Sequence, residues 1–441
     1  MLYTLALIPY LILFSYLSWR NLKLAILLLI VLLPTYVIRF SVGPLPSTLL
    51  ELMILVIFII WLISKKQESI KTFHPSGDRP QGEKQIFKNR YIIPVIIFLA
   101  GATISIFTSP AVRDAAGIWK AYFIEPILLM IVLINSFKEK KDYRLILYAL
   151  GITTIGFGLL GLFQKITGWG IYEPIWQPAD ARRITLTFTS PNAVGLYLGP
   201  IIVLYASWFF YQYKDWPKSL FKLAVLILGI VTVLLAVSRG AMLGVIAGLV
   251  VVLFFNWSKK GTTLIIAALL SSLFLIKSTA VKLWSFLTFQ FPSGELRLYL
   301  WKGAKALLLD NWLFGAGLGG FGQLFENYRP ENYTEILIYP HNIFLNFWTE
   351  TGLLGLLGFI AIIFTFFTIA FTINKRQPID LENKLINIGL LGAMISILVH
   401  GLVDVPYFKN DLAVLFWILI ALNIIIFNQK INNTGTKQLK N

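Results

Sequence analysis

The chain has 441 residues, of which 57% are hydrophobic and 13% charged, and it contains no cysteine. That balance lies far to the apolar side of a water-soluble domain, and the missing thiols exclude disulfides, thiolate metal sites and a cysteine nucleophile. The formal charge of +17 does not point to nucleic acid, because the basic residues lie in short segments between apolar runs, the pattern that sets membrane topology.

Apolar stretches long enough to cross ~30 Å of hydrocarbon recur about thirteen times, at residues 2–18, 22–38, 48–64, 91–108, 118–136, 145–164, 193–213, 223–238, 240–256, 262–276, 342–372, 385–403 and 412–427. The first lacks a basic leader and a small-residue cleavage site and is expected to be a retained span. Segments 65–90, 137–144 and 214–222 carry seven, four and three Lys or Arg, which places them in the cytoplasm. The long segments 166–192 and 277–340 then lie outside, and the C-terminus inside. The expected fold is an all-α polytopic membrane protein with 12–13 transmembrane helices and one large extracytoplasmic loop containing amphipathic helices. Three regions follow: an N-terminal membrane region (1–180), a catalytic membrane region (181–427) holding the loop 277–340, and a cytoplasmic tail (428–441).

Charged residues in or at spans carry most of the information, because a bare charge in hydrocarbon is costly. Glu51, Lys120 and Glu125 are expected to pair with one another or to line a cavity. Trp169, Tyr172 and Trp176 read as an aromatic belt or as platforms for sugar rings, and His74 as a solvated loop residue. Leu223–Asn256 holds a single charge, Arg239, over 34 residues. One straight helix of that length would measure about 51 Å at ~1.5 Å per residue, so the chain is expected to reverse at Ser238-Arg239-Gly240. Arg239 at that mouth either snorkels to headgroups or clamps an anion, since guanidinium is always charged and matches phosphate oxygens.

Farther along, GELRLYLWKGAKALLLDNW has helical spacing of its apolar residues, with Arg297 and Trp301 four apart on one side. FGAGLGGFG can turn tightly near a ligand but lacks the Gly-Lys-Ser/Thr of a Walker loop, so it reads as a flexible turn or a weak phosphate cradle. His341 follows Pro340, a residue favoured in a helix's first turn. The positive end of the helix dipole there disfavours the imidazolium and leaves a ring able to accept a proton. Asn342, Asn346 and Glu350 follow at four-residue steps as a polar stripe leading inward, facing a wet groove or gluing helices together. In HGLVD, His400 and Asp404 are spaced for a mutual hydrogen bond or a role in the site.

A proton-accepting histidine with Arg239, Arg297 and Arg183 on the outer face suits a lipid-bound, pyrophosphorylated donor. The guanidiniums would neutralise the departing pyrophosphate and His341 would take the proton of an attacking hydroxyl. No Asp-x-Asp pair occurs in either outer loop and zinc-type histidine spacing is absent, so transfer without metal or cofactor is expected. A multi-span transporter or lipid-linked glycan flippase is the alternative, since membrane carboxylates also mark translocation paths.

Four stretches in this order, RRITLTFTSPNAVGLYLGP, SRGAMLG, LRLYLWKGAKALLLDNWLFGAGLGGFG and PHNIFLNFWTETGLLGLLG, resemble the O-antigen ligase and O-antigen polymerase family of bacterial envelope enzymes, from about Arg182 to Asp404. The resemblance implies a GT-C-like layout and metal-free inversion at the anomeric centre. It also implies glycan moved from undecaprenyl pyrophosphate to a lipid-A core sugar or a second lipid-linked glycan, at the outer face of the bacterial inner membrane. Catalytic roles fall on His341, Arg239 and Arg297. Substrate binding is expected of Arg183, Asn192, Trp301, Asn342, Asn346, Glu350, His400 and Asp404.

Overall fold

Each apolar run closes its own backbone hydrogen bonds as helix, the only solution for a lone segment in hydrocarbon. The computed structural model describes residues 2–42, 45–71, 88–211, 213–256, 290, 292–329, 337–375 and 380–438. In chain order the helices are α1 (Leu2–Arg20), α2 (Leu22–Val31), α3 (Leu49–Lys71), α4 (Lys88–Phe107), α5 (Val112–Ile118), α6 (Glu125–Ser136), α7 (Lys140–Thr167), α8 (Pro191–Phe209), α9 (Trp216–Ala236) and α10 (Arg239–Asn256). Beyond them come α11 (Pro292–Asp310), the short α12 (Phe321–Phe325), α13 (Ile343–Lys375), α14 (Leu381–Gly401) and α15 (Asn410–Gln438). A π-helical turn, Trp119–Ile124, joins α5 to α6. One small antiparallel hairpin, β1 (Arg39–Val42) with β2 (Leu45–Thr48), precedes α3. The protein is an all-α polytopic membrane protein, with nine segments among the described residues long and apolar enough to cross a membrane.

Two expected spans differ. The run 22–38 gives a helix of only 10 residues, about 15 Å at ~1.5 Å per residue. Pro34 stops it, because proline offers no N–H and clashes with the preceding turn, and residues Leu33–Val37 tighten into a 3-10 turn. The run 342–372 is helical but broken at Gly352, whose backbone (φ 65, ψ −178) is left-handed. The expected span 262–276 and His74 lie outside the described residues.

Small residues let the helices approach closely, the usual substitute for a hydrophobic driving force inside a membrane. A Cβ on Gly244 would stand 2.7 Å from the Ser396 carbonyl and one on Gly248 2.6 Å from that of Gly392, so α10 lies flush on α14. Gly101 and Gly358 do the same between α4 and α13. Asn410–Phe427 of α15 are wholly buried among the others.

Antiparallel running sorts the turns to two ends. At one, Glu382 is buried and receives Lys140 at 2.9 Å, Arg144 Nε at 2.8 Å and Trp208 Nε1 at 3.0 Å. The other end gathers the hairpin, the α9–α10 turn, the start of α13 and the turn after α14, and it carries the residues singled out above.

Candidate functional site

The expected reversal at 238–240 is present. α9 ends at Ala236, Val237 takes a left-handed conformation (φ 51) and α10 begins at Arg239. The turn is held from outside by Arg183, whose Nε and Nη2 donate to the Ala236 and Val237 carbonyls at 3.0 Å each while its guanidinium lies 4.5 Å from the Trp176 ring. Burial, and then the positive charge of nearby Arg239, push the Arg183 guanidinium below its ordinary value. Arg183 is thus committed to holding Arg239 in place, and Trp176 to holding Arg183, while Trp169 and Tyr172 stay exposed. Arg239 itself is exposed at the first turn of α10.

The start of α13 departs from expectation. The helix begins at Ile343, not at Pro340, and Asn342 is its cap: Asn342 Oδ1 accepts the Phe344 and Leu345 amides at 3.0 and 3.1 Å, which satisfies donors that every helix start leaves open. The same side chain donates through Nδ2 to the Leu402 carbonyl at 3.0 Å. His341 lies before the cap with φ 47, a strained setting for a non-glycine residue. Its ring is turned onto Asp404, with Nδ1 3.2 Å from Oδ1, and its side chain keeps 30% exposure. The aspartate expected to pair with His400 therefore pairs with His341. His400 is buried, packed against Gly240 of α10 and Gly195 of α8. Asn192, half-buried, stands one turn before Gly195 on α8.

α11 draws these pieces together. Arg297 Nε donates to the Val403 carbonyl at 2.6 Å and Nη1 to that of Ser293 at 2.7 Å, and one turn on Trp301 Nε1 donates to the Pro340 carbonyl at 3.0 Å. One helix face thereby fixes the residue before Asp404 and the residue before His341. A Cβ on Gly240, next to Arg239, would stand 3.0 Å from the Val403 side chain. Arg297 and His341 thus converge on Leu402–Asp404, and the start of α10, which bears Arg239, packs beside Val403. Burial alone would raise the Asp404 carboxyl, but the hydrogen bond from His341 and the charges of His341, His400 and Arg297 outweigh it and hold it below the usual carboxylate range.

The polar stripe and the glycine segment are corrected. Asn346 and Glu350 are 0% and 1% exposed and face the interior, not a wet groove. Glu350 Oε2 accepts the Gly319 amide at 2.6 Å. In the same segment Ala316 N donates to Thr349 O at 2.6 Å, Leu318 N to Ser105 O at 3.1 Å and Gly320 N to Gly317 O at 2.9 Å. With its amides so engaged, FGAGLGGFG is neither a phosphate cradle nor a flexible turn. It is a buried plug against the end of α4 and the break at Gly352, and its glycines are there because a Cβ on Gly317 would strike the Ser109 backbone at 2.5 Å.

Sequence reasoning missed the Leu402–Val403 carbonyls, which act through backbone and leave no residue signature. It expected Glu51 and Lys120 to pair, and they do, at 2.6 Å, beside a cavity under the β-hairpin.

Comparison with known proteins bears on this cluster. Residues 224–360 match the family described as O-antigen ligase, so the likeness read from the motifs is shown across that stretch. It includes Arg239, Arg297, Trp301, His341, Asn342, Asn346 and Glu350, and it stops before His400 and Asp404. The chain is 25% identical over 302 residues to the teichuronic acid biosynthesis protein TuaE of Bacillus subtilis (strain 168), covering 62% of this chain and 59% of that protein. It is 23% identical over 313 residues to an uncharacterized protein of Haemophilus influenzae (strain Rd), covering 65% and 72%.

Proposed function

We propose that this membrane protein transfers a glycan from a polyprenyl-pyrophosphate donor to an acceptor hydroxyl, at the end of the bundle where His341 meets Asp404. The observation that carries the reading is that pair, with Arg297 anchored on the residue before Asp404, and with His341, Arg297 and Arg239 inside the stretch that matches the O-antigen ligase family. With Nδ1–H donated to Asp404, the neutral ring presents Nε2 as a lone-pair acceptor. That nitrogen takes the proton of the attacking hydroxyl as the new glycosidic bond forms. The bond from the anomeric carbon to pyrophosphate breaks in the same displacement, so configuration inverts. The leaving pyrophosphate carries the electron pair away as negative charge, which Arg239 and Arg297 stabilise without metal.

The basic segments 137–144 and 214–222 lie at the opposite end of the bundle, which by the positive-inside rule supports a site on the outer face of the bacterial inner membrane. An undecaprenyl-linked glycan is the donor there, and a core lipid sugar or a second lipid-linked glycan the acceptor.

Purified protein supplied with lipid-linked glycan tests this. Arg239→Ala and His341→Ala are expected to lose transfer by at least ~10²-fold each. Parent-rate transfer by either variant would sink the assignment, and abolition by EDTA its metal-free part. A ladder of lengthening products from the donor alone identifies a polymerase, and a single addition to core lipid a ligase. Accumulation of substrate in vesicles without new glycosidic bonds would instead identify a transporter.

A further inference from the structure

Beneath the β-hairpin, at the same end of the bundle, lies a cavity of about 260 Å³ that the transfer chemistry does not use. Its floor is Glu51, Asn410 and Tyr36, all nearly buried, and the π-turn residue Tyr122 forms part of its wall. Glu51 is fully engaged, with Lys120 at 2.6 Å on Oε2 and Asn410 Nδ2 at 2.9 Å on Oε1. Asn410, 5% exposed, also donates to Thr48 Oγ1 at 3.2 Å, but among the described residues no donor meets its Oδ1. Lys409, also on the lining, rests its ammonium over the Tyr36 and Phe188 rings at 5.2 and 4.6 Å. Exposed Arg39 and Asp114, of opposite charge, stand at the mouth.

Asn410 Oδ1 is closed off from the cavity, so the polar groups that a ligand can meet include the carboxylates of Glu51 and Asp114 and the ammonium of Lys409. Lys409 offers only donors. A phosphate or carboxylate would suit Lys409 but would meet like charge at Glu51 and Asp114. Hydroxyl groups serve both, and tyrosine faces suit the apolar side of a sugar ring. The volume equals roughly eight or nine waters at ~30 Å³ each, the scale of one ring and not of a chain. The cavity also adjoins the transfer site: the ring of Tyr339, two residues before His341, meets that of Phe408 at 6.1 Å, and Phe408 meets Tyr122 edge-on at 6.4 Å.

We infer that this cavity is a saccharide subsite that seats one uncharged sugar ring of a glycan substrate through Lys409, Asp114 and the face of Tyr122. Seating a substrate sugar here presupposes the glycan-transfer reading of the neighbouring site. Through the loop from Asp404 to Asn410, the same short segment would orient His341 and read the sugar.

The test uses full-length protein in lipid nanodiscs and saturation-transfer NMR. The probes are the methyl glycosides of glucose, galactose, mannose and N-acetylglucosamine, with inorganic phosphate and glucuronate as anionic controls. Gly117 lines the cavity, and a Cβ there would meet only Pro46 Cγ at 4.0 Å within reach, so Gly117→Leu enters the space from an unobstructed Cβ, and an unchanged thermal midpoint checks that the fold is kept. At least one neutral glycoside is expected to bind, and to bind about tenfold more weakly in Gly117→Leu and in Asp114→Ala. Arg239→Ala, outside the cavity, is expected to keep that binding while losing transfer. No binding by any neutral glycoside, binding by the anions alone, or binding indifferent to Gly117→Leu would overturn the subsite. If instead Arg239→Ala transfers normally while the glycoside binds as described, the transfer reading fails and the binding cavity stands.

Discussion

His341 and Asp404, 63 positions apart, meet through Nδ1 and Oδ1 at 3.2 Å, and α11 holds the carbonyl of the residue before each. The helix therefore sets the spacing of the pair through backbone. Asp404 in turn fixes which ring nitrogen faces outward.

Asp404→Asn keeps the shape of that contact but removes the charge and offers an amide that can present N–H to Nδ1. The wrong tautomer then faces the acceptor, as in triads whose aspartate is lost. Turnover is expected to fall roughly 10²–10⁴-fold with KM for the donor little changed, read by initial rates across donor concentration. An unchanged kcat would show that the aspartate does not orient the base.

The same carboxylate makes stability depend on acidity. Its folded pKa is depressed, so its contribution is complete above the unfolded value of ~3.9 and is lost as pH falls through the lower folded value. Thermal unfolding of the parent in detergent should hold steady from neutral pH to about 4 and decline below it. Asp404→Asn should decline less over that acid window. Parallel curves would assign the acid loss to other groups.

Trp301→Phe keeps an aromatic ring on α11 and deletes the bond to the Pro340 carbonyl. A net loss of about 0.5–1.5 kcal/mol is expected. Because that carbonyl positions His341, kcat should fall with it, by more than KM rises. Combining the change with Arg297→Lys, which cannot reproduce the two-carbonyl fork, should give less than the sum of the separate losses, since both act on one loop pair.

Glu350 is assigned to structure. Glu350→Gln retains an acceptor for the Gly319 amide and should leave both transfer and thermal midpoint close to the parent. Glu350→Ala strands that amide and opens a hole, and should destabilise by about 2–4 kcal/mol. Loss of turnover in a stable Glu350→Gln would return the carboxylate to the chemistry.

What the sequence disclosed followed from the membrane's intolerance of exposed backbone and bare charge. That rule located the helices, the reversal at Arg239 and the Glu51–Lys120 pair, because each is a local conflict with hydrocarbon. It failed where a partner is remote. Nothing within His400-Gly-Leu-Val-Asp404 says that the aspartate turns to a histidine on another helix. Nor does the glycine-rich segment announce that Ser105, Thr349 and Glu350 take up its amides. Asn342 read as one tooth of a polar stripe because four-residue spacing cannot distinguish a helix's cap from its face. The break of the run 22–38 at Pro34 was legible and was outweighed by the hydropathy around it.

The Leu402–Asp404 turn follows the next-to-last helix of the chain, long after Arg239, Arg297 and His341 have been made. During synthesis those three can be in the bilayer with their loops still unjoined, and the nascent protein holds no His341–Asp404 pair until α14 has been inserted. On the proposed function a half-made chain would therefore be an inert bundle, and competence would arrive in one late step.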